Sequence, residues 1–215
     1  NMPRSKQEPL NHFYNEESHL LEIGIDEAGR GPLFGRVYTA AVILPKEGNG
    51  IFDFHKMKDS KKFSSEKKIN EVAEYIKANA IAWCVTYNDE TVIDSINIRQ
   101  AVLTSMHQSI KNVILSNNDR TSATESDEKN KYFLLVDGND FKPYMVFEND
   151  SYSNIQHVCI EGGDNKYCSI AAASILAKTE RDKYIQELCD ENPELKKIYI
   201  TLTSAIQNHY ENEKL

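Results

Sequence analysis

Positive charge is in short supply: across 215 residues, 25 Lys and Arg stand against 33 Asp and Glu, a formal net charge of -8. So acidic a chain does not grip a polyanion by bulk electrostatics, so a phosphate-bearing partner must be met by a local basic patch or by bound cations. Cysteine is sparse too. Cys84, Cys159, Cys168 and Cys189 form no C-x-x-C pair and have no His at zinc-finger spacing. A disulfide scaffold and a zinc finger are thereby excluded, leaving small core residues in a reducing cytoplasm. No apolar run approaches the ~20 residues of a membrane span. The polar stretch from Asn1 to Ser18 also lacks the apolar segment of a signal peptide, so a cytoplasmic protein is expected.

What is present is a globular balance, 40% hydrophobic and 27% charged. Set against roughly 150 residues per domain, the length suits one large domain with short appendages. The expected division is a polar segment over 1–19, a main domain over 20–192 and a short helical segment over 193–215.

Hydrophobic patterning supplies the order of elements. Leu20 to Asp26 reads as a strand that ends in the turn Ala28-Gly29-Arg30-Gly31-Pro32, and Arg36 to Leu44 as a second strand stopped by Pro45. Their connection is too short for a crossover helix, so the two strands should run antiparallel. Ser64 to Ala78 opens with a capping signal and aligns Ile69, Val72, Ala73 and Ile76 on one helical face. Ala80 to Tyr87 reads as a strand, and Ile98 to Leu115 as a long amphipathic helix. The polar run Asn117 to Lys131 reads as a surface loop. Tyr132 to Asp137 is apolar without alternation, the pattern of a strand covered on both faces. Ile155 to Ile160 is a fifth strand, and Lys166 to Glu191 a helix whose first half is apolar all round and so buried. A further helix follows Pro193. This order predicts one α/β domain around a mixed sheet.

Four acids fall at strand ends and turns: Asp26 and Glu27 after the first strand, Asp137 after the fourth, and Asp164 between the fifth strand and the buried helix. If those strands are neighbours, the carboxylates converge at one sheet edge, where like charges repel and recruit cations. An all-oxygen donor set with no His or Cys favours Mg²⁺ or Mn²⁺, and a pair of such ions suits in-line displacement at a phosphodiester. The bland alternative makes the same acids turn formers or helix caps, Asp164 above all. Gly29-Arg30-Gly31 offers bare backbone N–H groups around a guanidinium, which suits a phosphate or a sugar. Asp59-Ser60-Lys61-Lys62 and Lys178 add cations that could form a basic rim. Asp140, three residues beyond Asp137, reads as at most a minor ligand, and Asp182 as an ion-pairing residue on its helix. His55, His107, His157 and His209 are scattered.

These residues resemble one family, ribonuclease HII, the prokaryotic type 2 ribonuclease H. The matching blocks are Gly24-Ile-Asp-Glu-Ala-Gly-Arg-Gly-Pro-Leu33 with Ala40-Ala-Val-Ile-Leu-Pro45, then Asp59-Ser-Lys-Lys62, then Ile96-Asn-Ile98 with Ala101. Val136-Asp-Gly-Asn139 and Gly163-Asp164 with Ser169 to Lys178 and Arg181-Asp182 complete the set. The resemblance implies a ribonuclease H-like fold, a mixed five-stranded sheet flanked by helices. It implies metal binding and catalysis by Asp26, Glu27, Asp137 and Asp164. It also implies reading of the 2′-hydroxyl by Gly29, Arg30 and Gly31, and phosphate contacts from Lys61, Lys62 and Lys178. The implied reaction is cleavage of the RNA strand of RNA/DNA hybrids, and incision at ribonucleotides embedded in duplex DNA, by a monomer using two Mg²⁺ or Mn²⁺ ions. The products would carry 3′-hydroxyl and 5′-phosphate ends.

Past Leu195 the resemblance fades: the family's Gly-Tyr-Gly-Thr-like segment is missing, and Tyr199 and Tyr210 match it in residue type only. Three alternatives therefore stay open. They are a truncated or divergent member with weak junction cleavage, a binding module that does not cleave, and another two-metal nuclease of the same broad fold.

Overall fold

The computed structural model describes residues 9–15, 17, 19–31, 34–46, 51–121, 131–148 and 150–199. Strand β1 (Leu21–Ala28) lies at the centre of a five-stranded sheet with β2 (Val37–Ile43), β3 (Ala82–Asn88), β4 (Tyr132–Asp137) and β7 (His157–Ile160), in the order β3-β2-β1-β4-β7. The first three strands pair antiparallel, and β4 and β7 join parallel to β1. The ribonuclease H-like α/β architecture is thus the one observed, with helices on both faces of the mixed sheet.

Alternation along β1 and β2 decides which helices go where. Ile23, Ile25, Val37, Ala41 and Ile43 face helix α3 (Ile98–Thr121) and pack on Ala101, Met106, Ile110 and Val113. Tyr38, Ala40, Val42 and Leu44 face the other way. They meet α1 (Glu66–Asn79) through Ile69, Ala73 and Ile76, and α4 (Cys168–Glu191) through Ala171 to Ala173, Ile175 and Leu176. Burial of each such Ile or Leu stabilises the fold by about 1.5–3 kcal/mol. In β4, Leu134 and Val136 point to the α3 face and Leu135 to Ile170 of α4, which explains its unbroken apolar run.

Helix α4 comes unusually close to the sheet. A Cβ built on Gly24 would lie 2.1 Å from the backbone carbon of Ser169, so glycine is what admits the helix at this crossing. Small residues at Ala171, Ala172 and Ala173 continue the approach. The start of the described chain is tied to the same helix: Asn11 N–H donates to the Lys166 carbonyl at 2.8 Å, and Cys168 N–H to the Asn11 carbonyl at 3.0 Å.

Two expectations need correction, and two small features had no forecast. The stretch expected to be a loop from Asn117 begins as helix, since α3 continues to Thr121; Asn117 is buried and donates to the Tyr132 hydroxyl at 2.7 Å. Residues 122–130 of that expected loop lie outside the described residues. A small hairpin, β5 (Met145–Glu148) with β6 (Ser151–Asn154), had no forecast, and a short α2 (Glu90–Ile96) precedes α3. Strand β7 begins at His157, two residues later than expected. Residues 193–199 are helical, as expected after Pro193.

Candidate active site

The sheet register places the acids. Ile25 of β1 pairs with Val136 of β4, so Asp26 and Asp137 follow as neighbours at the carboxyl ends of two parallel strands. Crevices outside such strand ends are the usual ligand sites of α/β sheets. Glu27 follows Asp26 directly, and its N–H donates to Asp26 Oδ1 at 2.7 Å. Asp137 Oδ1 accepts from Gly163 N–H at 2.6 Å, which ties the end of β4 to the 3-10 turn Gly163–Asn165 that carries Asp164.

Three of these carboxyls, Asp26, Glu27 and Asp164, are desolvated and crowded. Asp26 is only 5% exposed. Burial pushes its carboxyl well above the usual range, and the Asp137 and Glu27 charges push it further, while the Ser174 hydroxyl and Glu27 N–H oppose the rise. Glu27 is raised by burial and by Asp137, against the nearby Arg30 guanidinium. Asp164 is raised by burial, then by Asp59 and Asp137, with Lys61 opposing. A purely structural acid at a turn is normally solvated or capped. Asp164 caps nothing on α4, whose N-cap position is Tyr167 with no side-chain bond. The helix-cap reading of Asp164 therefore fails.

The substrate-side residues divide into two groups. In the loop after β1, Gly29 has φ +102°, and a Cβ there would lie 2.5 Å from Arg181 Nε, so this position takes glycine on both counts. Gly31 faces open space. Arg30 reaches Glu27 Oε1 at 3.6 Å and Asp140 Oδ2 at 3.8 Å. On the other side, the 3-10 turn Ser60–Lys62 is capped by Asp59, which accepts from Lys61 N–H at 2.8 Å. Lys62 donates to the Asn165 side chain, whose amide donates to Asp59 Oδ2 at 3.1 Å, so this turn is fastened beside Asp164. Lys178 pairs with Asp182 at 2.6 Å, consistent with the ion-pair reading of Asp182. A cleft of about 480 Å³ runs past Ser60, Lys61, Lys178, Asp182, Lys196 and Tyr199. The Tyr199 ring meets Phe34 edge-on at 5.7 Å, just after the glycine loop. Tyr210 and His209 lie outside the described residues.

Several participants escaped the sequence reading. Asp59 was seen only as part of a lysine turn, yet its charge bears on Asp164. Arg181 is buried and donates to the Phe34 carbonyl at 3.2 Å and the Arg36 carbonyl at 3.3 Å, holding the chain that follows the glycine loop. Asp140 is not a spare ligand: both its oxygens accept from Arg99 at 2.7 Å. His107 Nε2 donates to the Lys142 carbonyl at 2.7 Å. The cysteines are free thiols, of which Cys168 and Cys189 are core residues as expected, whereas Cys84 and Cys159 are only half-buried.

The donor set suits a hard divalent cation, being oxygen-only, desolvated and self-repelling. Among the described residues, no three His, Cys, Asp or Glu side chains are gathered closely enough to hold an ion between them. The donor chemistry fits such an ion, and the described side-chain positions do not by themselves form a closed ligand cage.

Comparison with known proteins completes the site. The family model described as Ribonuclease HII matches residues 23–199. A ribonuclease HII of Bacteroides fragilis is 42% identical over 181 residues, covering 84% of this chain and 76% of the relative. That of Parabacteroides distasonis is 41% identical over 177 residues, covering 82% and 75%. Among solved structures, the ribonuclease H2 of Pyrococcus horikoshii OT3 aligns with a TM-score of 0.54 at 20% identity, over 79% of this chain and 76% of that one. Bst-RNase HIII in complex with Mn²⁺ aligns with a TM-score of 0.53 at 21% identity, over 81% and 56%. At these identities the two structures speak for the fold alone. Among the described residues no helix is long and apolar enough to cross a membrane. With a family match spanning most of its length and relatives above 40% identity, the chain belongs to the ribonuclease HII family.

Proposed function

We propose that the protein is a metal-dependent endoribonuclease that cleaves the RNA strand of RNA/DNA hybrids and incises at ribonucleotides embedded in duplex DNA. The observation that carries this reading is the gathering of Asp26, Glu27 and Asp137 at adjoining strand ends, the first two desolvated, beside an exposed glycine–arginine loop. Asp26, Glu27, Asp137 and Asp164 would hold Mg²⁺ or Mn²⁺. Ions so held supply an activated water and charge stabilisation for the leaving 3′-oxygen.

The chain's own residues do the rest. The backbone of Gly29 and Gly31 approaches the ribose closely enough to read a 2′-hydroxyl, which both donates and accepts hydrogen bonds. Lys61, Lys62 and Lys178 line the route of the phosphates and offset the acidic net charge locally. Buried Arg181 keeps the glycine loop in place from beneath. The protein acts in this reading as a cytoplasmic monomer.

The test is cleavage of three labelled duplexes: an RNA/DNA hybrid, DNA with one ribonucleotide, and plain DNA, each in Mg²⁺ and in Mn²⁺. The expected result is cutting of the first two only, with 3′-hydroxyl and 5′-phosphate ends, and none by Asp26→Asn. Cutting of plain DNA at a similar rate would point instead to another two-metal nuclease.

A further inference from the structure

Asp140 is the residue the sequence left as a minor metal ligand, and its surroundings assign it different work. It accepts a two-pronged bond from one guanidinium, Arg99 Nε to Oδ2 and Nη2 to Oδ1, each at 2.7 Å. That fork geometry is the strongest an Arg–carboxylate pair adopts. Arg99 sits in the first turn of α3, where Asn97 Oδ1 accepts from Gln100 N–H at 3.0 Å, and α3 packs along one whole face of the sheet. Asp140 is therefore anchored to a rigid element and not merely to its own loop.

From that anchor Asp140 meets a second guanidinium. Arg30 places Nη2 at 3.8 Å from Asp140 Oδ2 and Nη1 at 3.6 Å from Glu27 Oε1. Both separations are ion-pair distances, so Arg30 is shared between two carboxylates, slightly nearer Glu27 than Asp140. One of the two is a residue placed above among the cation ligands. An arginine that closes on Glu27 occupies the oxygens a divalent ion needs.

We propose that Asp140, braced by Arg99, is a positioning residue that shares Arg30 with Glu27 and so weakens the hold of Arg30 on that carboxylate, leaving it more open to a divalent cation. The inference rests on the site reading given above and adds an element outside the four acids. Its dependence on Arg30 sets it apart from a general loss of structure. Without Asp140, Arg30 has one carboxylate left and competes with the ion for it. Exposed ion pairs are weak, so the cost is an about two- to fivefold loss of cation affinity.

The experiment is calorimetric titration of Mn²⁺ into the full chain, for the wild type, Asp140→Asn, Arg99→Gln, and the double variants Asp140→Asn/Arg99→Gln and Asp140→Asn/Arg30→Gln, with thermal unfolding to confirm that each is folded. Both single variants should bind Mn²⁺ about two- to fivefold more weakly. Combining Asp140→Asn with Arg99→Gln should add nothing, because the two residues act as one strut. Adding Arg30→Gln to Asp140→Asn should restore or exceed wild-type affinity, since the competitor is gone. An unchanged affinity in Asp140→Asn, or no recovery with Arg30→Gln, overturns the inference while leaving the cation site intact. Absence of Mn²⁺ binding by the wild type overturns the site reading itself, and this inference with it.

Discussion

Asp26 and Asp140 are the same side chain in opposite surroundings. Asp26, near the end of β1, is buried among other acids, and desolvation with the Asp137 and Glu27 charges lifts its carboxyl well above the usual range. Asp140 lies on the rim with Arg99 and Arg30, and the Arg99 hydrogen bonds hold its carboxyl below that range. The first arrangement is costly in the free protein, and is of the kind that a bound cation relieves. The second is already neutralised by its guanidinium partners. Sequence position alone does not separate them. The nearest cationic partner does.

The contrast can be broken from several directions. Asp26→Asn removes a buried carboxyl crowded by Asp137 and Glu27, and with it a proposed cation ligand. Cleavage should fall by at least about 100-fold, beyond the 10–100-fold typical of outer-shell partners, as read in the hybrid assay. Next in size is the support beneath β1. Gly24→Ala drives a Cβ into the Ser169 backbone, and overpacking of about 2 kcal/mol or more should lower the unfolding midpoint by roughly 5 °C, measured by calorimetry. On the rim, Lys62→Ala should raise KM with little change in kcat. It should also make the salt dependence of hybrid binding shallower by about one unit of slope, measured by binding in graded KCl.

The smallest effect concerns the interior. The Cys168 thiol is buried and pushed up to about 12, so iodoacetamide at pH 8 should label Cys84 and Cys159 well before it, as followed by mass spectrometry. Early labelling of Cys168 would mean that the crossing of α4 with the sheet opens readily, contrary to the tight contact at Gly24.

Much of this was legible beforehand. The strand ends that carry Asp26, Glu27 and Asp137, the buried first half of α4 and the mixed sheet all follow from apolar periodicity, which is a local signal. What escaped was non-local. Asp140 could be told from Asp137 only through Arg99, on a helix far away in sequence. Asn117 looked like loop because it is polar, yet its amide is buried against the Tyr132 hydroxyl, and that partner sustains the last turns of α3. The β5–β6 hairpin spans only four residues per strand, too few for alternation to stand out from noise. Gly24 read simply as part of a strand; only the packed helix shows why a side chain is forbidden there. Asp164 could be freed from its cap reading only once the first residue of α4 was known.

The most direct test of the central claim is anomalous diffraction from crystals grown with Mn²⁺. The account predicts manganese density bounded by carboxylate oxygens of Asp26, Glu27, Asp137 and Asp164, with Asp140 still forked to Arg99. Manganese held instead by Asp140 or Asp59, with Asp26 and Asp137 unligated, would contradict it.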